Sequence, residues 1–292
     1  MAAAAWTVAV AAPTSYPLAL AAILWGAIAV IIPLERFLPY RPEWNRNQGD
    51  FLGDLFHMVF SFSLTAKAVE AAVWAAFMGA SAWLSAAAGF GLWPSSWPLP
   101  MQLLLSVVLA EAGLYAIHRL AHENAWLWRL HAVHHSAPRL YWLNAGRFHP
   151  LDILVQSLPS MLPLVLLGAP APVLFLHWTF TGVHGLLQHS NIAMRLGFLS
   201  HVFSTAELHR WHHSRDLKEA NNNYGKVLAL FDILCRTRFL SQGEVGELGL
   251  EKPGFPKGFL QHLAAPFSWK GFIADRDSQK PPGGRPTSRN SP

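Results

Sequence analysis

HRLAH at residues 118–122 and HAVHH at residues 131–135 open a histidine-rich stretch that runs to residue 213. After a long apolar interval it continues with HGLLQH at residues 184–189 and closes with HRWHH at residues 209–213. Ten of the chain's 15 histidines lie in these four segments. Residues three and four apart share one face of a helix, so HxxxH and HxxHH each direct their imidazoles toward one point. The HxxxxH spacing fits an ideal helix less well and predicts a bend or a wide turn.

Histidines clustered at these spacings predict metal binding. Neutral imidazole is a common ligand of iron, zinc, copper and nickel, and one ion takes only about four to six ligands. Ten histidines therefore predict two metal ions. A single histidine beside a membrane helix is more often a hydrogen-bonded interfacial residue. Four clusters of protonated imidazoles would repel one another, however, whereas a metal ion holds them neutral.

The composition predicts a membrane protein. The 292 residues are 52% hydrophobic and only 13% charged, with a mean hydropathy of +0.24, which is apolar for a soluble domain. Basic residues beside membrane spans, placed by the positive-inside rule and by anionic lipid, account for the net charge of +5. We therefore expect no nucleic-acid partner. The single cysteine, Cys235, excludes an internal disulfide.

Five apolar segments predict about four to five transmembrane or re-entrant helices. The second segment carries Lys67 and Glu70, which either pair on one helix face or lie at the interface ahead of a later span. The last two segments flank the Gly/Pro run at 168–172 and are shorter than the ~20 residues of a full span. They either just cross the bilayer or dip into it as a hairpin. The segments are residues 16–34, 55–83, 101–117, 153–167 and 173–187.

The charges of the loops predict an orientation. The loop after the first segment carries Arg36, Arg41 and Arg46, whereas the loops after the second and fourth segments carry no charge. The positive-inside rule then places the arginine-bearing loops in the cytoplasm. Counting through five segments brings all four histidine clusters to that same side. The membrane would be the inner or cell membrane of a bacterium, or the endoplasmic reticulum of a eukaryote.

These observations predict an all-α integral membrane protein with a cytoplasmic helical cap that carries the histidine clusters. Residues 1–274 form one membrane-embedded domain in this interpretation. Residues 275–292 are rich in proline, glycine, serine and charge, which predicts a disordered tail.

The order and spacing of HRLAH, HAVHH and HRWHH around an apolar hairpin resemble the fatty acid hydroxylase/sterol desaturase superfamily. The segment 204–239 contains STAELHRWHHS, NNNYG and FDILCRTRF and is similar to the C-terminal signature of that family. The resemblance covers about residues 35–240. The sequence Cys235-Arg236-Thr237 stands where the family often has Phe-Gly-Thr, which weakens assignment to any one branch.

The resemblance implies a non-haem di-iron oxygenase of the membrane that uses dioxygen to hydroxylate or desaturate a lipid. Two iron ions would be the cofactor, and zinc can replace them in purified protein because it binds imidazole well. The partners would be a lipid from the bilayer, dioxygen and a separate electron-donor protein. Carried over motif by motif, the ligands are His118, His122, His131, His134, His135, His184, His189, His209, His212 and His213.

Two other functions stay open at this point. A metal transporter would favour polar residues inside the spans, whereas the histidines lie at segment ends and in loops. A catalytically inactive relative that binds lipid is disfavoured by the intact boxes. Hydroxylation and desaturation start from the same hydrogen abstraction, so the boxes do not distinguish them, and they do not identify the lipid.

Four polar residues outside the boxes are candidates for supporting roles. Glu111 lies seven residues before His118, on roughly the same helix face, and either supports a ligand or is structural. Asn144, Arg147 and His149 either orient ligands through hydrogen bonds, or anchor a lipid headgroup, or form the loop that enters the next helix with its arginine extended toward water.

The orientation is open to a direct test. Reporter fusions after Arg46, after Ser136 and at the C-terminus should all report the cytoplasm, and a fusion near Ser95 should not, because the loop charges set this topology. Opposite sides for the Ser136 and C-terminal fusions would contradict a shared histidine site.

Overall fold

The computed structural model describes Ala5 and residues 15–250 and 254–269. Over these residues the chain is helical and has no β-strand, only isolated bridges such as Phe203 with Leu228. This confirms the all-α fold class, while the predicted tail at 275–292 lies outside the described residues. The helices are α1 (Tyr16–Phe37), α2 (Phe51–Ala88), α3 (Leu99–Glu123), α4 (Ala125–His135), α5 (Pro150–Leu166), α6 (Ala171–His189), α7 (Ala206–His212), α8 (Leu217–Ala220), α9 (Leu230–Leu234) and α10 (Phe259–Ala264).

Three of these helices are long and apolar enough to cross a membrane, namely α1, α2 and α3. The shorter α5 and α6 coincide with the fourth and fifth predicted segments. Helix α2 has 38 residues and extends the predicted segment at both ends, with a π-helical stretch over His57–Leu64. Lys67 Nζ lies 2.6 Å from Glu70 Oε2 on this helix, so the predicted pair forms. These apolar helices make the chain a membrane protein.

Helix α5 packs against both α2 and α3, and α6 packs against α3 and α1. Gly113 allows the closest of these contacts. A Cβ atom placed on Gly113 would lie 2.1 Å from the carbonyl oxygen of Pro159 in α5, so only glycine lets the two backbones approach this closely. Leu164 and Val173 are buried in a core cluster next to this contact.

The histidine-bearing helices form a cap at one end of this bundle. Helix α3 ends at Asn124, whose side chain accepts hydrogen bonds from Trp126 N at 2.9 Å and Leu127 N at 3.1 Å. Asparagine is among the best N-cap residues, so it ends α3 and begins α4 within one residue. The chain therefore turns sharply between HRLAH and HAVHH, and the two boxes can face each other.

We expect Gly113→Ala to destabilise the protein. The added methyl group would overlap the Pro159 carbonyl, and overpacking of this kind costs about 1–3 kcal/mol. Gly79→Ala is the matched control, since a Cβ atom at Gly79 meets no atom within 4 Å and alanine favours a helix. Thermal unfolding in detergent should show a lower midpoint for Gly113→Ala alone. Equal midpoints for the two variants would contradict the close contact.

Candidate metal centre

Nine of the ten predicted ligands form two adjacent buried groups. Within each group the candidate ligand atoms lie within 4.8 Å of one another. The residues come from the end of α3, from α4, from the end of α6 and from α7 with the residue after it. Group one is His118, His122, His131, His135 and His212, and group two is His134, His189, His209 and His213.

In group one the Nε2 atoms face a common point. His118 Nε2 lies 3.0 Å from His131 Nε2 and 3.0 Å from His212 Nε2. The Nδ1 atoms of the same three rings are bound elsewhere, each to an oxygen. His118 Nδ1 lies 2.7 Å from Tyr224 O, and His212 Nδ1 lies 2.7 Å from Asn222 O.

The third of these rings is oriented by a carboxylate. His131 Nδ1 lies 2.9 Å from Asp152 Oδ2, and both side chains are buried. Carbonyl and carboxylate oxygens only accept hydrogen bonds, so Nδ1 is the protonated nitrogen of His118, His131 and His212. Their Nε2 lone pairs then point at one another across 3.0 Å. A cation between them removes this repulsion.

Group two repeats the arrangement. His213 Nε2 lies 3.1 Å from His134 Nε2 and 3.0 Å from His209 Nε2, and His209 Nε2 lies 3.0 Å from His189 Nε2. His134 Nδ1 donates to the carbonyl oxygen of Arg147 at 3.2 Å. The Nε2 atoms therefore again form the inner lining of the group.

The spacing of these nitrogens fits metal ions. Two ligands at right angles on an ion with bonds of about 2.1 Å to nitrogen lie about 3.0 Å apart, which matches the separations within both groups. The Nε2 atom of His135 is buried and has no hydrogen-bond partner among the described residues. Because buried polar atoms are nearly always paired, this atom also fits a ligand.

The cap keeps these imidazoles neutral. Burial, with a further contribution from neighbouring imidazoles, lowers the pKa of His134, His135, His209 and His213 well below the ordinary value of 6.5. Neutral imidazole is the form that binds a metal ion. At pH 7, therefore, no proton needs to leave these four rings before they bind a metal ion.

His184 is not brought to either group, in contrast to the prediction. Its Nε2 atom lies 2.8 Å from the carbonyl oxygen of Ser204. Helix α6 continues as an α-helix to His189, and residues five apart on an ideal helix point about 140° away from each other. Of the two histidines in HGLLQH, His189 therefore lies in group two, whereas His184 bonds to the backbone at Ser204.

Asp152 is a site residue that the sequence did not reveal. It lies in the first turn of α5, where an acid is ordinarily explained by the helix dipole. Its other oxygen, Oδ1, accepts from Gln156 Nε2 at 3.3 Å, so the carboxylate is held on both sides. Only the distance to His131 identifies it as the group that orients a ligand.

The loop before α5 contacts two of the candidate ligands, as one of the three predicted alternatives requires. Asn144 Oδ1 lies 3.1 Å from His189 Nδ1. The guanidinium of Arg147 pairs with Asp54, with 2.5 Å between Nε and Oδ1, and this fixes the carbonyl that accepts from His134. His149 has the third role, that of helix entry, since it is the N-cap of α5 and its Nδ1 accepts from Leu151 N at 3.1 Å.

The NNNYG segment forms a turn that supports group one. The carboxylate of Asp232 accepts from Tyr224 N at 2.9 Å and from Gly225 N at 2.8 Å. A Cβ atom at Gly225 would lie 2.4 Å from Leu228 O, so the turn requires glycine there. Glu111 holds the segment that follows the turn, because its carboxylate accepts hydrogen bonds from Lys226 N at 2.6 Å and from the backbone N–H of the next residue. It supports the ligands through this turn and contacts none of them.

A cavity of about 460 Å³ leads to both groups. Its far end lies between α1 and α2, where Trp25 and Val59 line it and are 68% and 42% exposed on the outside of the bundle. Its near end is formed by histidines of the two groups, among them His118, His134 and His209. The volume and the largely apolar walls are typical of a small-molecule site, and the mouth opens where lipid would surround the helices.

We expect His135→Ala and His213→Ala to lower metal occupancy while the protein stays in the membrane. Each variant removes one nitrogen from a group and leaves the span helices unchanged. His201→Ala is the exposed control, and His184→Ala should also keep metal because its ring bonds to Ser204. Metal per chain would be measured by elemental analysis after purification. Full occupancy in His213→Ala, or loss in His184→Ala, would contradict this assignment.

Asp152→Asn should weaken metal binding without removing a ligand. The amide keeps the shape of the side chain but orients the His131 ring less firmly, and loss of such a partner typically costs 10- to 100-fold in metal affinity. Competition with a chelator would measure the affinity. Asp216→Asn is the control, since Asp216 is the exposed N-cap residue of α8. Equal affinities of Asp152→Asn and wild type would show that the carboxylate has no such role.

Comparisons with known proteins place this geometry in a family. The Fatty acid hydroxylase family model matches residues 103–237. An ornithine lipid hydroxylase, OlsE, of Rhizobium tropici is 42% identical over 255 residues, which cover 84% of this chain and 75% of that protein. No solved structure shows a significant match.

More distant relatives are lipid-modifying enzymes as well. An alkylglycerol monooxygenase of Danio rerio is 29% identical over 62% of this chain and 39% of that protein. A Delta(7)-sterol 5(6)-desaturase of Eremothecium gossypii is 29% identical over 47% of this chain and 37% of that protein. This chain thus spans well under half the length of these two relatives. The histidine boxes, the matched domain and the extensive similarity to OlsE show that the chain belongs to the fatty acid hydroxylase/sterol desaturase superfamily.

Proposed function

We propose that this protein is a dioxygen-dependent di-iron oxygenase that oxidises a membrane lipid. One observation carries the proposal, namely that a cavity open between the membrane helices ends at two groups of inward-facing histidine nitrogens. A metal-storage protein or transporter has no need of an apolar cavity directed at its ions. An oxygenase requires that arrangement, because a carbon of the substrate must reach the metal centre.

Group one would hold one iron ion and group two the other. When bound, the iron ions supply the redox chemistry that activates dioxygen against an inert C–H bond, which side chains alone cannot do. In a hydroxylation, the lipid, dioxygen, two electrons and two protons become the hydroxylated lipid and water. The two electrons must come from a reductant, and we propose a separate donor protein that supplies them on the cytoplasmic side that the loop charges predict.

The chain's own residues position and shield this chemistry. Asp152, Asn144 and the carbonyl oxygens of the NNNYG turn hold the rings with their Nε2 lone pairs inward. Ligands held in advance by such hydrogen bonds need little reorganisation when the ion binds. A lipid chain that fills the apolar cavity would exclude water from it, and the shape of the cavity would align that chain with the two groups.

The first substrate to test follows from the relatives. OlsE is named an ornithine lipid hydroxylase, and similarity to it extends over 84% of this chain. We therefore propose a lipid of that class as substrate, with hydroxylation as the reaction.

The test uses iron-reconstituted protein in lipid nanodiscs with ornithine lipid, a chemical reductant and ¹⁸O₂. Hydroxylation predicts consumption of dioxygen and a lipid product that contains one ¹⁸O atom, whereas desaturation predicts loss of two hydrogens with no label. The His213→Ala variant is the inactive control. An iron-loaded protein that consumes no dioxygen with ornithine lipid or with a total bacterial lipid extract would contradict the proposed function.

A further inference from the structure

Lys226 is the one residue with a full formal charge among the described residues that line the cavity. It follows the NNNYG turn, and its backbone N–H donates to Glu111 Oε1 at 2.6 Å. The side chain runs toward α6, where its Cε lies 3.8 Å from an ideal Cβ on Gly185. Gly185 is four residues before the ligand His189, hence about 6 Å from it along the helix. The Lys226 side chain therefore lies beside α6, about one helical turn before His189.

The Lys226 ammonium group has no partner among the residues that the structure describes. It makes no hydrogen bond and no ion pair there. Burial lowers the pKa of the Lys226 ammonium group, and the carboxylate of Glu111 opposes this shift. Both oxygens of Glu111 accept backbone N–H groups, those of Lys226 and Val227, and neither forms an ion pair with Lys226. A lysine placed in an apolar cavity without a counter-ion is unfavourable, so its presence calls for an anion that is supplied from outside.

We propose that Lys226 binds an anionic group of the substrate, a carboxylate or a phosphate, and so places a carbon near that group at the metal centre. This inference rests on the proposed function, because it assumes that the cavity receives the lipid. The apolar walls around Trp25 and Val59 would take the acyl chain. The charged end would then lie deepest, beside the histidines, and the oxidised carbon would belong to the headgroup or to the first carbons next to it.

Gly185 provides room for this contact. It lines the cavity beside Lys226, and any side chain there would extend toward the ammonium group and the anion that it binds. The polar lining residues nearby, such as Gln188, carry no charge. Lys226 is therefore the one charged side chain of this lining that would add to the attraction of the two proposed iron ions for an anion.

The experiment measures binding of three probes with hydrocarbon chains of the same length to iron-loaded protein in nanodiscs without oxygen. N-palmitoylglycine carries a carboxylate, its methyl ester is neutral, and hexadecyl phosphate carries a phosphate. We compare wild type with Lys226→Met, which keeps most of the length and removes the charge, and with Lys226→Arg, which keeps the charge. Lys218→Met is the matched control, since Lys218 is an exposed lysine of the same cap.

Wild type and Lys218→Met should bind the acid at least about 10-fold more tightly than the ester, as a hydrogen bond to a charged group predicts. Lys226→Met should lose this preference with unchanged iron content, and Lys226→Arg should keep most of it. The tighter of the two anionic probes identifies the preferred headgroup. If wild type binds acid and ester equally, or if Lys226→Met keeps the wild-type ratio, the assignment is overturned.

These outcomes are separate from those that test the proposed function. Oxidation of lipid by a protein without an acid preference would support the oxygenase and overturn the anion site. An acid preference that depends on Lys226, in a protein that consumes no dioxygen, would support the anion site as a binding site and overturn the oxygenase.

Discussion

The rest of the structure depends on one constraint: the Nε2 atoms of buried histidines lie close together with their lone pairs facing one another. Nine rings present Nε2 atoms to two small volumes, and within each volume several of these atoms lie only 3.0–3.1 Å apart. Neutral imidazoles in this arrangement repel one another, and protonated ones repel more strongly. A cation in each volume is the physical solution. The cap helices, the turns and the buried carboxylates hold these rings in place against that repulsion.

The supporting hydrogen bonds come from widely separated parts of the chain. Asp152 begins α5, Asn144 precedes it, and Tyr224 lies in the NNNYG turn that Asp232 and Glu111 hold. Because each of these residues fixes the Nδ1 side of a ring directly or through the turn, the metal centre connects the spans to the cap. The cavity reaches the same rings, and residues of α1, α2 and α6 line it.

The sequence predicted most of this arrangement and missed identifiable parts. Local spacing on helices predicted the two boxes around His122 and His135, because residues three and four apart must share a face. The same rule explains why His184 lies outside both groups, since it and His189 are five residues apart on one α-helix. Asp152 could not be recognised, because its role arises from a contact with His131 across 21 residues. Such contacts depend on how helices pack, which spacing alone does not encode.

Metal stoichiometry tests the central claim most directly. We propose that each group binds one iron ion, so protein reconstituted anaerobically with iron and freed of loosely bound metal should contain two ions per chain. Zinc found after overexpression would not decide the question, since it binds imidazole without redox chemistry. Elemental analysis with quantitative amino-acid analysis of the same sample would give the ratio. Two iron ions per chain would support the account, and a fully reconstituted protein that holds at most one would contradict it.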